Sequence, residues 1–274
     1  MTVSANPSSP SPAIETFALF RRFGDHVVIR DFSFAVTLGE IFGLIGPNGA
    51  GKSTLIKMLT TMLPPSAGSA RVAGFDIVKQ ASKVRAHIGY VPQLLSADGA
   101  LTAYENLLLS ARLYLIPARE REARIADALK RMGLEEAQNR LVQTFSGGMI
   151  RRLEIAQSML HNPAVLFMDE PTVGLDPVAR HNVWEHVREL RKTLGATILL
   201  TTHLMDEADA LCDRIGVLKD GGLALVGEPA ALKATISPEA TLDDVFASVA
   251  GGEVTAEGGF RAARAERSAE RAHG

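Results

Sequence analysis

Apolar and polar side chains alternate along residues 27–36, where Phe32, Phe34 and Val36 are interleaved with Ser33 and Ala35, the period of a half-buried strand. Residues 14–20 read as a neighbouring strand, with Asp25 in the turn between the two. At residues 41–45 the alternation gives way to the unbroken run IFGLI, as in a strand buried on both faces. Glycines follow directly, and then a helix-like stretch over residues 52–63 that Pro64, Pro65, Ser66 and Gly68 bring to a stop. Short apolar runs around Val72 and over residues 88–91 add further strands. From residue 103 to 160 the spacing becomes helical, charge-rich at 119–131 and without strand alternation, which predicts a helical insertion. A buried strand returns at 164–168, Val183, Val187, Leu190 and Leu194 mark one face of an amphipathic helix, and 196–201 gives another strand. After Thr241 a short helix runs through Val249. This order of strands and helices predicts an α/β core around a parallel sheet.

Charge narrows the possible partners. The 29 basic and 31 acidic side chains nearly cancel, which removes the one-signed field that a nucleic-acid binder uses to attract phosphate backbones. No nucleic-acid partner is therefore expected. Cys212 is the single cysteine, so the chain forms no internal disulfide and no cysteine-based zinc site, in keeping with a reducing cytoplasm. Residues 1–13, rich in Ser and Pro, lack the cationic start and apolar run of a signal peptide and read as a disordered lead-in. Residues 250–274 form a tail of mixed charge to which no function is assigned. No uncharged apolar run is long enough to cross a bilayer, so the chain is expected not to span a membrane itself.

Chemistry enters at Gly46-Pro47-Asn48-Gly49-Ala50-Gly51-Lys52-Ser53-Thr54, two glycines four residues apart followed by lysine and serine, set between a strand and a helix. Glycines let backbone amides close around phosphate without side-chain bulk. A helix N-terminus contributes only about 0.3 to 1 kcal/mol to a surface anion, whereas micromolar binding takes about 8 kcal/mol. Further charge is needed, and Lys52 supplies it to the outer phosphates. Ser53 offers Mg²⁺ a hydroxyl, and Thr54 adds a phosphate contact. A second constellation, Asp169-Glu170-Pro171, ends the apolar run at 165–168, where parallel α/β sheets bind ligands. Alone, such a pair reads as a cap or a salt bridge. Beside a phosphate loop, Asp169 reads as a holder of Mg²⁺ and Glu170 as the group that polarises an attacking water.

A phosphate loop by itself fits a small-molecule kinase, a GTPase or a helicase. The discriminating segment is Phe145-Ser146-Gly147-Gly148-Met149, in which Ser146 is a candidate N-cap for a helix with Ile150, Leu153, Gln157 and Leu160 on one face. In their order and spacing the segments resemble the ABC ATPase family over residues 14–249. GPNGAGKST is similar to that family's Walker A segment, YVPQ ending at Gln93 to its Q-loop, and FSGGM to its signature. VLFMDEP is similar to Walker B, GLDP at residues 174–177 to the D-loop, and TTH ending at His203 to the switch histidine.

The resemblance implies a P-loop NTPase-type core with a mainly parallel sheet, an antiparallel β subdomain and a helical subdomain at about 94–160. It implies an ATP hydrolase that uses Mg²⁺ and closes head to tail with a second copy of itself or a homologous ATPase subunit. Ser146, Gly147 and Gly148 would then contact nucleotide held by the partner's loop, and Asp176 would connect the two sites. Gln93 would sense Mg²⁺ and the attacking water, as a metal contact beside Ser53 and Asp169, and His203 would contact the γ-phosphate. Phe23 occupies the place of the aromatic that stacks on adenine, with Phe20 as its rival. Met149 departs from the commonest signature, which has glutamine there, and a thioether lacks the amide's hydrogen bonding. The runs SGGMIRRLEIA and TLDDVF resemble the subset serving antibiotic-resistance and polyketide-type exporters. The implied setting is the cytoplasmic face of the cell membrane, on a separate ABC-2-type integral membrane permease. Two alternatives stand beside it: a non-transport ABC ATPase of translation or chromosome maintenance, and a P-loop small-molecule kinase. The kinase reading leaves the signature and switch segments unexplained, and the double cassette or long coiled coil of the non-transport types is not present.

Overall fold

A computed structural model of the chain describes residues 12–250. The elements in chain order are β1 (Ile14–Phe23), β2 (His26–Val36), β3 (Ile41–Ile45), α1 (Lys52–Leu59), β4 (Ala67–Val72), β5 (Phe75–Asp76), α2 (Ala81–His87) and β6 (Ile88–Val91). A helical block follows, α3 (Ala103–Leu113), α4 (Ala118–Arg131) and α5 (Gly147–Met159). The chain then returns through β7 (Val165–Asp169), α6 (Pro177–Leu194), β8 (Thr197–Thr202), α7 (Met205–Leu211), β9 (Arg214–Lys219), β10 (Gly222–Gly227), α8 (Pro229–Ala234) and α9 (Leu242–Ala250).

The six-stranded sheet has the order β10-β9-β3-β8-β7-β6. All its pairings are parallel except that of β10 with β9. The four-stranded sheet, β2-β1-β4-β5, is antiparallel throughout. This is the expected architecture of parallel core, antiparallel β subdomain and helical insertion.

The continuous apolar runs are explained by burial on both faces, because successive side chains of a strand point to opposite sides. Ile41, Ile45, Leu166, Met168, Ile198 and Leu200 join one core with the helical block, α6 and α7. Phe42, Leu44, Val165, Phe167 and Leu199 join a second core with α1 and the antiparallel sheet. The parallel sheet is thus the shared floor of two cores, and the C-terminal ends of β3, β7 and β8 carry the polar segments.

Most boundaries differ from the sequence reading by a residue at most, and three differ for a visible cause. The helix expected over 52–63 stops at Leu59: the Thr60 hydroxyl donates to the Ile56 carbonyl at 2.8 Å, and Thr61 turns left-handed at φ 65°. The first strand continues past residue 20 to Phe23 through register shifts against β2. The lead-in expected to end at residue 13 ends earlier, since the Ala13 amide donates to Val36 O at 2.8 Å and its carbonyl accepts from Ala73. The rest of the lead-in, residues 1–11, and the tail after residue 250 lie outside the described residues.

Candidate functional site

The loop between β3 and α1 is shaped by two left-handed glycines, Gly49 at φ 84° and Gly51 at φ 102°. Gly51 also has no room for a side chain, since a Cβ there would stand 2.6 Å from Ile29 Cδ1 and 3.0 Å from the Val28 carbonyl. The first turn of α1 has no capping side chain and no acidic residue, so its amides face outward as unpaired donors at the positive end of the helix dipole. Lys52 is buried in the same place. Its Nζ donates to the carbonyls of Gly46 at 2.7 Å and Pro47 at 3.2 Å, and lies 3.4 Å from Glu170 Oε1.

The carboxylates come from the end of β7. Asp169 is buried, and its Oδ1 accepts from Ser53 Oγ at 3.1 Å and from Thr201 Oγ1 at 2.6 Å. Glu170 takes a left-handed φ of 49°, with its amide donating to the carbonyl (3.0 Å) and hydroxyl (3.1 Å) of Thr201. A non-glycine residue in that region is strained, and such strain collects at functional positions. The turn aims the carboxylate between two partners: Oε1 lies by Lys52, and Oε2 lies 2.9 Å from His203 Nδ1. Tyr90 on β6 stands near Asp169, and burial, aided by that negative charge, pushes its phenol up to about 12, so it remains a neutral neighbour.

A cleft of about 550 Å³ opens between these elements, within the range of small-molecule sites. Asn48, Gly49, Gly51, Lys52, Ser53, Thr54, Gln93, Glu170 and His203 line it, joined by Val28 and Val173, which the sequence reading did not single out. Gly46, Pro47 and Ala50 complete the loop behind them; Gly46 and Pro47 supply the carbonyls that hold Lys52. Asp169 lies beneath, reached through Ser53.

The donor set fits a nucleotide with Mg²⁺: unpaired helix amides and a buried ammonium for phosphate, and a hydroxyl and carboxylate already adjacent for a hard cation.

Besides Gly46, Pro47, Ala50 and Asp169, five expected site residues do not line this cleft. Ser146 caps α5, its Oγ accepting from the Met149 amide at 3.3 Å, and Asp176 caps α6, its Oδ1 accepting from the Ala179 amide at 2.9 Å. Gly148 brings these two helix starts together, because a Cβ on it would stand 2.9 Å from Ala179 Cβ. Ser146, Gly147, Gly148 and Asp176 therefore form a second group, separate from the phosphate loop of the same chain. Phe23 sits at the end of β1, 46% exposed, with the Arg21 guanidinium 4.4 Å from its ring centre. Thr201 was missed by the sequence reading, although a hydroxyl at the C-terminal end of a buried parallel strand is a signal that marks it.

The family model described as ABC transporter matches residues 29–173, more than half of the chain. This chain belongs to the ABC transporter family. Among relatives, it is 44% identical over 229 residues to the Nod factor export ATP-binding protein I of Sinorhizobium fredii, covering 84% of this chain and 66% of that protein. It is 41% identical over 207 residues to the linearmycin resistance ATP-binding protein LnrL of Bacillus subtilis, covering 76% of this chain and 66% of that one. The chain thus spans just under two thirds of the length of these relatives. A solved structure of the ATP-binding subunit of an ABC transporter superposes with a TM-score of 0.76 at 31% identity, over 87% of this chain and 99% of that one. In this ABC transporter family member the phosphate loop follows β3, Gln93 follows β6, the acidic pair ends β7 and His203 follows β8.

Proposed function

We propose that this chain binds and hydrolyses ATP and energises export through a separate membrane permease. The observation that carries this reading is the convergence on Glu170, whose two oxygens face the loop cation Lys52 and the histidine His203 across one cleft. Glu170 orients and polarises the water that attacks the γ-phosphate, and His203 steadies Glu170 and contacts that phosphate. Lys52 and the first-turn amides of α1 take up the charge of the outer phosphates. Ser53 and Asp169 hold Mg²⁺, with Gln93 as its third contact, and the ion when bound neutralises charge on the phosphate oxygens.

Ser146, Gly147 and Gly148 serve nucleotide held by a second copy or a homologous subunit, and Asp176 links the two sites. Phe23, exposed at the end of β1, stacks on adenine. The relatives named for Nod factor export and linearmycin resistance support the export direction, and the SGGMIRRLEIA and TLDDVF segments support an ABC-2-type permease on the cytoplasmic face of the membrane. Among the described residues no helix is long and apolar enough to cross a membrane.

The purified chain is expected to release phosphate from ATP only with Mg²⁺, to stop when the metal is chelated and to restart when it is returned. Lys52→Ala is expected to lower the rate by at least roughly a hundredfold. Undiminished hydrolysis by Lys52→Ala, or a phosphorylated small acceptor in place of free phosphate, contradicts the reading.

A further inference from the structure

α5 carries three polar side chains along one buried stripe, Arg151, Glu154 and Ser158, at spacings of three and four residues. All three reach the strand-to-loop segment that contains Gln93. Arg151, 1% exposed, donates from Nη1 to the Pro92 carbonyl at 2.6 Å and from Nη2 to the Gln93 carbonyl at 2.8 Å. The same Nη1 pairs with Glu154 Oε2 at 2.9 Å. The other oxygen of Glu154 accepts from the amide of Ser96 and, at 3.1 Å, from its hydroxyl. One turn on, Ser158 Oγ donates to the Tyr90 carbonyl at 3.0 Å.

A fully buried guanidinium is uncommon, and burial depresses its pKa while the Glu154 charge opposes that. An apolar pair of the same volume would fill the space without that desolvation cost. What an apolar pair could not do is hold the backbone at residues 92, 93 and 96 at once. The planar fork of Arg151 grips two successive carbonyls just after β6 ends, and Glu154 grips the amide three residues later. Gln93 lies between these grips and on the wall of the cleft.

We infer that Arg151 and Glu154 are positioning residues that clamp the Gln93 loop onto α5, so that Gln93 and the Ser146–Gly148 turn at the start of that helix move as one body. The inference rests on the proposed ATPase reading, in which Gln93 acts on the nucleotide of its own chain and the turn acts on that of the partner. Movement of one is then felt by the other through a single helix.

The test is steady-state ATP hydrolysis by the full chain, as Gln93→Ala, as Arg151→Met combined with Glu154→Leu, and with all three changes together. The pair variant is expected to melt cooperatively, to keep KM for ATP within about twofold and to lose kcat about tenfold, as Gln93→Ala does. Adding Gln93→Ala to it should cost nothing more, because both changes remove the same positioned group. Arg151→Lys keeps the charge beside Glu154 but not the fork, and serves the same test if the pair variant fails to fold; its loss of kcat should likewise not multiply with that of Gln93→Ala. Full kcat in these variants, or losses that multiply, overturns the clamp while leaving the ATPase reading intact. Full kcat in Gln93→Ala alone removes both the role of Gln93 and the clamp.

Discussion

Glu207 is a carboxyl whose surroundings disfavour its charge. It is wholly buried on α7, with Oε1 accepting from Thr172 Oγ1 at 2.7 Å and from Trp184 Nε1 at 3.0 Å. Burial pushes its pKa up from the ordinary carboxylate value of 4.5, against the pull of Thr202, Thr172 and Trp184. As pH rises above that value the unfolded chain gives up the proton while the native carboxyl keeps it, so native stability falls. Glu207→Gln keeps an acceptor for Thr172 and Trp184 but cannot titrate. Its melting temperature relative to wild type is therefore expected to climb as pH is raised from about 4.5 towards neutrality, and a difference that stays flat would show Glu207 ionised in the native state. At this scale the charge-bearing residues were legible because their order along the chain is distinctive. The bonds between them were not. Glu170 meets His203 across 33 positions, and Thr201 serves both acidic residues only because β7 and β8 are neighbours in the sheet.

The junction of α5 and α6 depends on two glycines with different neighbours. A Cβ on Gly148 would face Ala179 Cβ at 2.9 Å, a small side chain fixed to its helix, whereas one on Gly147 would face the flexible tip of Leu175 at 3.1 Å. Gly148→Ala is accordingly expected to cost about 1 to 3 kcal/mol and to lower ATP hydrolysis by moving Ser146 away from Asp176, and Gly147→Ala to cost less. Denaturant melts of the two variants give that order, and the reverse order would contradict the observed contact. Among the elements, the long runs of the parallel core and the helical block were readable from periodicity. The sequence reading passed over α2, α7, α8, β5, β9 and β10. Helices of six or seven residues have little stability of their own, and packing decides whether they form. The shortened α1 has the same origin, in two threonines whose preferences outweighed the apolar pattern beyond them.

One mainly parallel sheet separates two hydrophobic cores and carries at its C-terminal edge a phosphate loop, Glu170 and a histidine that face one cleft, with Asp169 beneath. The Ser146–Gly148 turn and Asp176 lie together elsewhere. In the proposed reading that division is why a single copy does not finish the site, and the reading was legible only through resemblance, since no periodicity or spacing within one chain reveals where a second chain would sit. The most direct measurement is the mass of Glu170→Gln in solution by size-exclusion chromatography with light scattering, with and without Mg-ATP. ATP should remain uncleaved and double the mass, and Ser146→Arg in the same background should stay monomeric while still binding nucleotide. Glu170→Gln that binds Mg-ATP yet remains a monomer, or a dimer indifferent to Ser146→Arg, would contradict the account.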